Sequence, residues 1–328
     1  MRSTIEASWD GWYLLTLLLL PLSGLFCLVS GIRRLFYRIG WLPTRTLGVP
    51  VIVVGNISVG GTGKTPLVTW LADKLKAMGF RPGIITRGYG GKSDCWPCEV
   101  TTASQAREVG DEAVLLKRRT GCPVFAGPDR VETGKRLLSA SDCNLIIADD
   151  GLQHYGLHRD LEIAVIDGAR RFGNGLCLPA GPLRETPKRL AKVDLVISNG
   201  EAGQGEYLMR VTGSEAVALD GQDASRPLAR FTDSQVHAIA GIGHPERFFS
   251  MLEAAGLEVE RHPFADHHAY RADDLQAFSS QTVLMTEKDA VKCMAFARPS
   301  HWYVPAMVEV EAGFERQLEA LIKRLTDG

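Results

Sequence analysis

The chain has 328 residues, 45% hydrophobic and 23% charged, with 37 basic against 38 acidic side chains and a net charge of −1. This excludes a disordered chain, which needs less apolar content and more net charge, and a chain-wide basic footprint for nucleic acid. The length accommodates two compact domains, or one large one with additions. Seven cysteines, odd in number and thinly spread, do not make a secreted disulfide framework and point to a reducing compartment.

Gly11 to Ile32 is an uncharged run of 22 residues, and about 20 apolar residues suffice to cross a bilayer. A secretory signal is the first rival reading, but Arg2 is offset by Glu6 and Asp10, and no A-x-A cleavage site follows. Arg33, Arg34, Arg38 and Arg45 come after the run, so the positive-inside bias puts everything downstream on the cytoplasmic side. Trp9, Trp12, Tyr13, Tyr37 and Trp41 flank it as interfacial aromatics do. Pro21, Ser23 and Gly24 interrupt it, which leaves open a spanning helix, a kinked one or one lying in a single leaflet. A buried core helix is the soluble alternative.

After Pro50, VIVVGN is a short β-branched run ending in Gly, as suits a strand buried on both faces. A Gly-rich turn and a helical pattern from Pro66 to Phe80 follow. Further strands are expected at 82–86, 122–126, 144–148, 161–167, 193–198, 236–241 and 282–286, with helical patterns between several of them, such as GDEAVLLKRR and Pro245 to Ala255. The alternation predicts an α/β fold: a P-loop NTPase-like, doubly wound, mostly parallel sheet, with an N-terminal membrane helix and a smaller C-terminal α/β lobe. The expected division is 1–38 for the helix, 39–205 for the core and 206–328 for connector and lobe. Residues 200–232, polar and Gly-rich, read as a connector or a short β-ribbon.

Residues 55–65, GNISVGGTGKT, carry the phosphate-loop pattern: Gly63, Lys64 and Thr65 fill its last three positions and Ser58 stands where the first Gly is usual. Ser58, Val59, Gly60, Gly61, Thr62 and Gly63 form the expected cradle, whose glycines allow the backbone to wrap a phosphate. Lys64 would reach the β- and γ-phosphates of ATP, and Thr65 would ligate Mg²⁺. Downstream, LIIADD ends a strand in two carboxylates, and Asp149 or Asp150 would hold Mg²⁺ directly or through water. Cys95 and Cys98 form a C-x-x-C with no zinc-spaced partner pair, and read as incidental thiols. TEKD at 286–289 has its Lys in the wrong slot for a guanine reader.

In order along the chain, the apolar N-terminal segment, GNISVGGTGKTP, TRGYGG, VGDEAVLLKRR, FAGPDR, IADDGLQH, FGNGLCLPAGPLRE, ADHHAY and LMTEKDAVK resemble the tetraacyldisaccharide 4′-kinase family over almost the whole chain. The resemblance implies transfer of the γ-phosphate of ATP to the 4′-hydroxyl of a lipid-linked glucosamine disaccharide 1-phosphate, with Mg-ATP as co-substrate. It also implies a bacterial inner membrane, a catalytic face toward the cytoplasm, membrane lipids as partners and no obligate protein partner. The family's catalytic base falls on Asp111 of the GDE block, beside Glu112, and its partner on His267 of ADHH, with His268 as a bystander. Among the cations Arg184 is assigned to the transferring phosphate, and Arg130 to the nucleotide phosphates or the acceptor. Arg87 is a further candidate, and Gln153, His154 and Glu185 are secondary contacts. The rivals are a P-loop ATPase switch of the partitioning or targeting type, and a membrane-bound nucleotide sensor without catalysis.

Overall fold

The computed structural model describes residues 8–326 except 12, 221–223, 234, 277, 279 and 280. Arg2, Glu6 and Trp12 lie outside the described residues. The helices used below are α1 (Leu14–Arg38), α2 (Lys64–Ala77), α3 (Asp111–Thr120), α4 (Arg130–Ala140), α5 (Pro245–Ala254), α6 (Glu287–Cys293) and α7 (Ala312–Thr326). The strands of the first half are β1 (Val51–Gly55), β2 (Pro82–Thr86), β3 (Cys98–Val100), β4 (Val124–Ala126), β5 (Leu145–Asp149), β6 (Leu161–Asp167) and β7 (Leu195–Asn199). Those of the second half are β8 (Tyr207–Thr212), β9 (Glu215–Ala218), β10 (Ser225–Pro227), β11 (Val236–Ala240), β12 (Val259–Pro263), β13 (Val283–Thr286), β14 (His301–Val304) and β15 (Met307–Val310).

Among the described residues there are two sheets. The first runs β15-β8-β7-β6-β1-β5-β2-β4-β3; it is parallel from β8 to β4 and closed at each edge by an antiparallel strand. Its central strands are apolar on both faces because helices cover both, which is why VIVV and LIIA read as unbroken runs. Val54 stands opposite Asp149 in the β1–β5 register. The phosphate loop and the Asp149–Asp150 pair therefore leave adjacent strands at the same carboxyl edge, where open α/β sheets bind ligands.

The second sheet runs β10-β9-β14-β13-β11-β12, with β14, β13, β11 and β12 parallel. The segment read as a connector or a short β-ribbon supplies β8, β9 and β10. It shows no apolar run because β8 is mostly half-exposed and β10, an edge strand, is exposed. The last element returns to the first sheet: Phe314, Leu318 and Ile322 of α7 are fully buried in its core. The expected division at 205/206 falls just before β8, so strands of the first sheet lie on both sides of it. The two sheets meet at the phosphate loop. A Cβ on Gly243, in the turn after β11, would come within 3.0 Å of the Gly61 amide nitrogen.

Helix α1 is a 25-residue helix of mean hydropathy 2.2, long and apolar enough to cross a membrane, and only 11% of its apolar window is buried. A core helix would be buried. Here Leu14 and Leu18 are 75% and 68% exposed, an arrangement that water disfavours and hydrocarbon accepts. One anchor to the core is polar: Ser23 Oγ donates to the Cys177 carbonyl at 2.7 Å.

Candidate active site

The phosphate loop begins where β1 ends and stops where α2 starts at Lys64. Gly60 and Gly63 have φ of +97° and +95°, conformations that L side chains rarely adopt. A Cβ on Gly63 would also meet Met209 Cε at 2.8 Å and Asn199 Nδ2 at 2.9 Å, whereas Gly61 opens onto free space. Asn199 Nδ2 donates to the Thr62 carbonyl at 3.3 Å and Val59 donates to the Pro182 carbonyl at 2.8 Å. Ser58 bridges to Leu183 without needing a glycine's freedom. The backbone is thus fixed before any ligand arrives, with the positive end of α2 behind it, which suits a phosphate.

At the same edge Lys64 Nζ stands 3.4 Å from Asp150 Oδ1, and Arg184 Nη1 donates to Asp150 Oδ2 at 2.9 Å. Burial works against ionisation of Asp150, but Lys64 and Arg184 outweigh it and hold the carboxyl well below the usual carboxylate range. Asp149 behaves oppositely. Burial, then Glu112 and Asp150, push it up to about 7. Its Oδ2 accepts from Thr86 Oγ1 at 3.3 Å, while its buried Oδ1 has no partner. An unpartnered buried carboxylate oxygen among other carboxylates fits a divalent, oxygen-loving cation. Thr65, half-buried in the first turn of α2, supplies a hydroxyl at the loop's end.

Arg130 lies behind this group and is 2% exposed. Its guanidinium donates to the Gly127 carbonyl at 2.8 Å and the Asp149 carbonyl at 3.1 Å, and burial lowers it to about 10. In this arrangement both terminal nitrogens serve the backbone. The Arg130 amide donates to His154 Nε2 at 3.2 Å, and burial, then Arg130, lower His154 to about 4. Gln153 Nε2 donates to the Asn56 carbonyl and to Glu185 Oε1, both at 2.9 Å, and Glu185 pairs with Arg34 of α1 at 3.2 Å. This chain of contacts ties helix α1 to the phosphate loop. Arg87 is exposed.

The second cluster spans both sheets. Asp111 opens α3 and is 5% exposed. His267 sits in the turn after β12 with φ of +59°, and its Nδ1 meets Asp111 Oδ2 at 3.0 Å across 156 residues of sequence. The Asp111 hydrogen bond raises His267 above the ordinary imidazole range. Burial opposes ionisation of Asp111, but His267 and Lys288 outweigh it and lower its pKa. His268 turns away to Asp274 at 3.1 Å.

Two lysines of α6 complete the cluster. Lys288 Nζ lies 3.4 Å from His267 Nε2, 3.3 Å from Glu112 and 3.5 Å from Asp266. Lys292 Nζ lies 4.0 Å from Asp111. An ammonium only donates, so Lys288 faces an unprotonated Nε2 and leaves the imidazole proton on Nδ1, directed at Asp111. Sequence reading missed both lysines, because LMTEKDAVK served only as one block of the resemblance and its TEKD was compared only with a guanine reader. Their i, i+4 spacing, one helical face, was the available signal. Cys95 and Cys98 are free thiols.

A family model described as Tetraacyldisaccharide-1-P 4'-kinase matches residues 15–323. The chain is similar to the tetraacyldisaccharide 4'-kinase of Nitrosococcus oceani, 53% identical over 94% of this chain and 90% of the relative. It is 49% identical to that of Methylobacillus flagellatus over 98% of this chain and 97% of the relative. The crystal structure of LpxK from Aquifex aeolicus in complex with ATP superposes with a TM-score of 0.78 at 31% identity, covering 95% of this chain and 99% of that one.

Proposed function

This chain belongs to the tetraacyldisaccharide-1-P 4'-kinase family, and from that premise we propose how its residues divide the work. The reaction is transfer of the γ-phosphate of ATP to the 4′-hydroxyl of a tetraacyl glucosamine disaccharide 1-phosphate in lipid A biosynthesis, with Mg²⁺. Such a transfer needs positioning, neutralised phosphate charge and an exit for the hydroxyl proton. The phosphate loop from Ser58 to Gly63 cradles the nucleotide. Lys64 and Arg184, which pair with Asp150, serve the transferring phosphate. Thr65, Asp149 and Asp150 would hold the cation, which would supply neutralisation of developing charge on the phosphate oxygens. Arg130 buttresses Asp149 from behind.

Asp111 takes the proton of the acceptor hydroxyl and His267 orients and supports it, while Lys288 fixes the imidazole tautomer. The observation that carries this assignment is the 3.0 Å contact between Asp111, at the start of α3, and His267, in the turn after β12. A hydrolytic switch needs a group that positions water, whereas a kinase needs a base for an acceptor. Purified protein with ATP is expected to turn over slowly until tetraacyl disaccharide 1-phosphate is added, with the new phosphate located on the 4′ position by mass spectrometry. Rapid hydrolysis indifferent to acceptor would favour the switch.

The acceptor is an acylated amphiphile, and α1 lets the enzyme meet it within a bilayer. We place that bilayer as the bacterial inner membrane, with the catalytic side in the cytoplasm, from the basic flank at Arg33, Arg34 and Arg38. Beside α1 a cavity of about 480 Å³ is lined by Arg34, Arg38, Arg159, Arg189 and Lys192 among others. Arg34, Arg159 and Arg189 of this lining are paired with Glu185 and Glu162, and a free cation at the surface is worth about 1 kcal/mol toward an anionic leaflet. Full-length protein is expected to stay with membranes through a high-salt wash. A variant lacking residues 1–32 is expected to be released by that wash, because salt screens adsorption by the remaining basic flank. Full-length protein found entirely in the soluble fraction would remove the anchor.

A further inference from the structure

Away from the active site, β11 and β12 bring two histidines and a glutamate to one face of the second sheet. The register sets His237 opposite Glu260 and Ile239 opposite His262. Residues two apart on a strand share a face, so His237, Glu260 and His262 project together. His237 Nδ1 lies 3.0 Å from His262 Nε2 and 3.4 Å from Glu260 Oε2, and His262 Nε2 lies 3.6 Å from Glu260 Oε1. Among the described residues these histidines are the ion-pair partners of Glu260. Neighbouring Arg261 is engaged by Glu246 and Glu253 instead.

One donor atom from each of the three residues lies within 4.8 Å of the others, and the two imidazole nitrogens are close to the roughly 3.3 Å that bonds of 2.0–2.1 Å put between ligand atoms of a tetrahedral zinc site. The donor set also selects the metal. Two imidazoles and one carboxylate suit zinc and neighbouring transition metals, whereas magnesium asks for oxygen alone. The ring of Phe278 covers both imidazoles, at 4.7 and 4.5 Å between centroids. That apolar wall limits water on one side, while half-exposed Glu260 leaves a way in on the other. His237 is 5% exposed, so its ring is already held in place. Without a metal the two imidazoles share a proton in a hydrogen bond; a metal ion would take the place of that proton.

We propose that His237, Glu260 and His262 form a zinc-class transition-metal site with three protein ligands and an open fourth position. The bound ion would clip β12 to β11. His262 stands five residues before His267 on the strand that feeds the catalytic turn, so the clip would steady the segment from which His267 projects.

The test uses full-length protein in detergent, stripped with chelator and titrated with Co²⁺ in the presence of excess Mg²⁺ to fill the oxygen-ligand site. One equivalent of Co²⁺ is expected to bind with the intense visible absorption of a tetrahedral complex, and Zn²⁺ is expected to displace it. His262→Gln is expected to weaken binding by more than the roughly 10–100-fold that loss of a supporting group costs, while an unchanged far-ultraviolet circular dichroism spectrum reports a folded protein. Glu260→Gln alters a half-exposed side chain and gives the same comparison without risk to the fold. Absence of the tetrahedral spectrum in the wild type, or equal binding by wild type and both variants, overturns the proposal.

Discussion

Asp111→Ala is expected to lower kcat by roughly 10²–10⁴-fold, the usual worth of a positioned base, while the KM for ATP changes little. A sugar hydroxyl is a very weak acid, so its proton must leave as the phosphoryl group arrives, and nucleotide binding makes no use of that step. The buried Asp111 also balances Lys288 and Lys292. Asp111→Asn, which keeps the shape, therefore separates lost chemistry from lost packing, and it should be slow as well. The pH profile carries a second signature. His267 is raised first by its hydrogen bond to Asp111, whereas burial and Lys288 both lower it. The wild-type rate should fall as pH drops through the raised His267 pKa, because an imidazolium at 3.0 Å makes Asp111 a poorer base. With Asp111 removed, the inflection of the residual rate should move to lower pH. His267→Ala should cost rate too, and the double variant should be little worse than the worse single one, as for groups that act as a unit. Fully multiplicative losses, or an Asp111→Ala enzyme with wild-type kcat, would dismantle the dyad.

Lys64→Ala is expected to reduce turnover by about 10²–10³-fold or more, the scale of losing one preorganised electrostatic contact, and to weaken ATP binding. The fold should survive. Lys64 pairs with Asp150, and Arg184 remains bonded to that carboxylate when the lysine is gone. Unchanged thermal melting with collapsed turnover is the expected pair of results. A folded Lys64→Ala enzyme with near-normal turnover would take the phosphate loop out of the mechanism.

The sequence by itself determined the α/β class, the phosphate loop, the carboxylate-ended strand and the apolar N-terminal helix, whose exposure the structure decided. Each is written in local pattern: a doubly buried strand must be a continuous apolar run, a phosphate loop needs its glycines and lysine in one stretch, and a membrane helix needs about 20 apolar residues in a row. Lipid A chemistry was legible only through the order of many short blocks, none of them informative alone. Tertiary structure decided what depends on pairing across distance. It returned β15 and α7 to the first sheet, because their apolar face finds its partner on β8 and α2 rather than in the lobe. Strands β8 to β10 were legible only as a connector or short β-ribbon, because strands with exposed and half-exposed positions carry no apolar run. It also set Lys288 and Lys292 against Asp111, joined Arg34 of helix α1 to Glu185, and turned the two carboxylates that end LIIADD into unlike acids. Asp149 is buried near Glu112, while Asp150 is clasped by Lys64 and Arg184. Adjacent residues of identical chemistry differ here only through burial and neighbours, and those come from the folded chain.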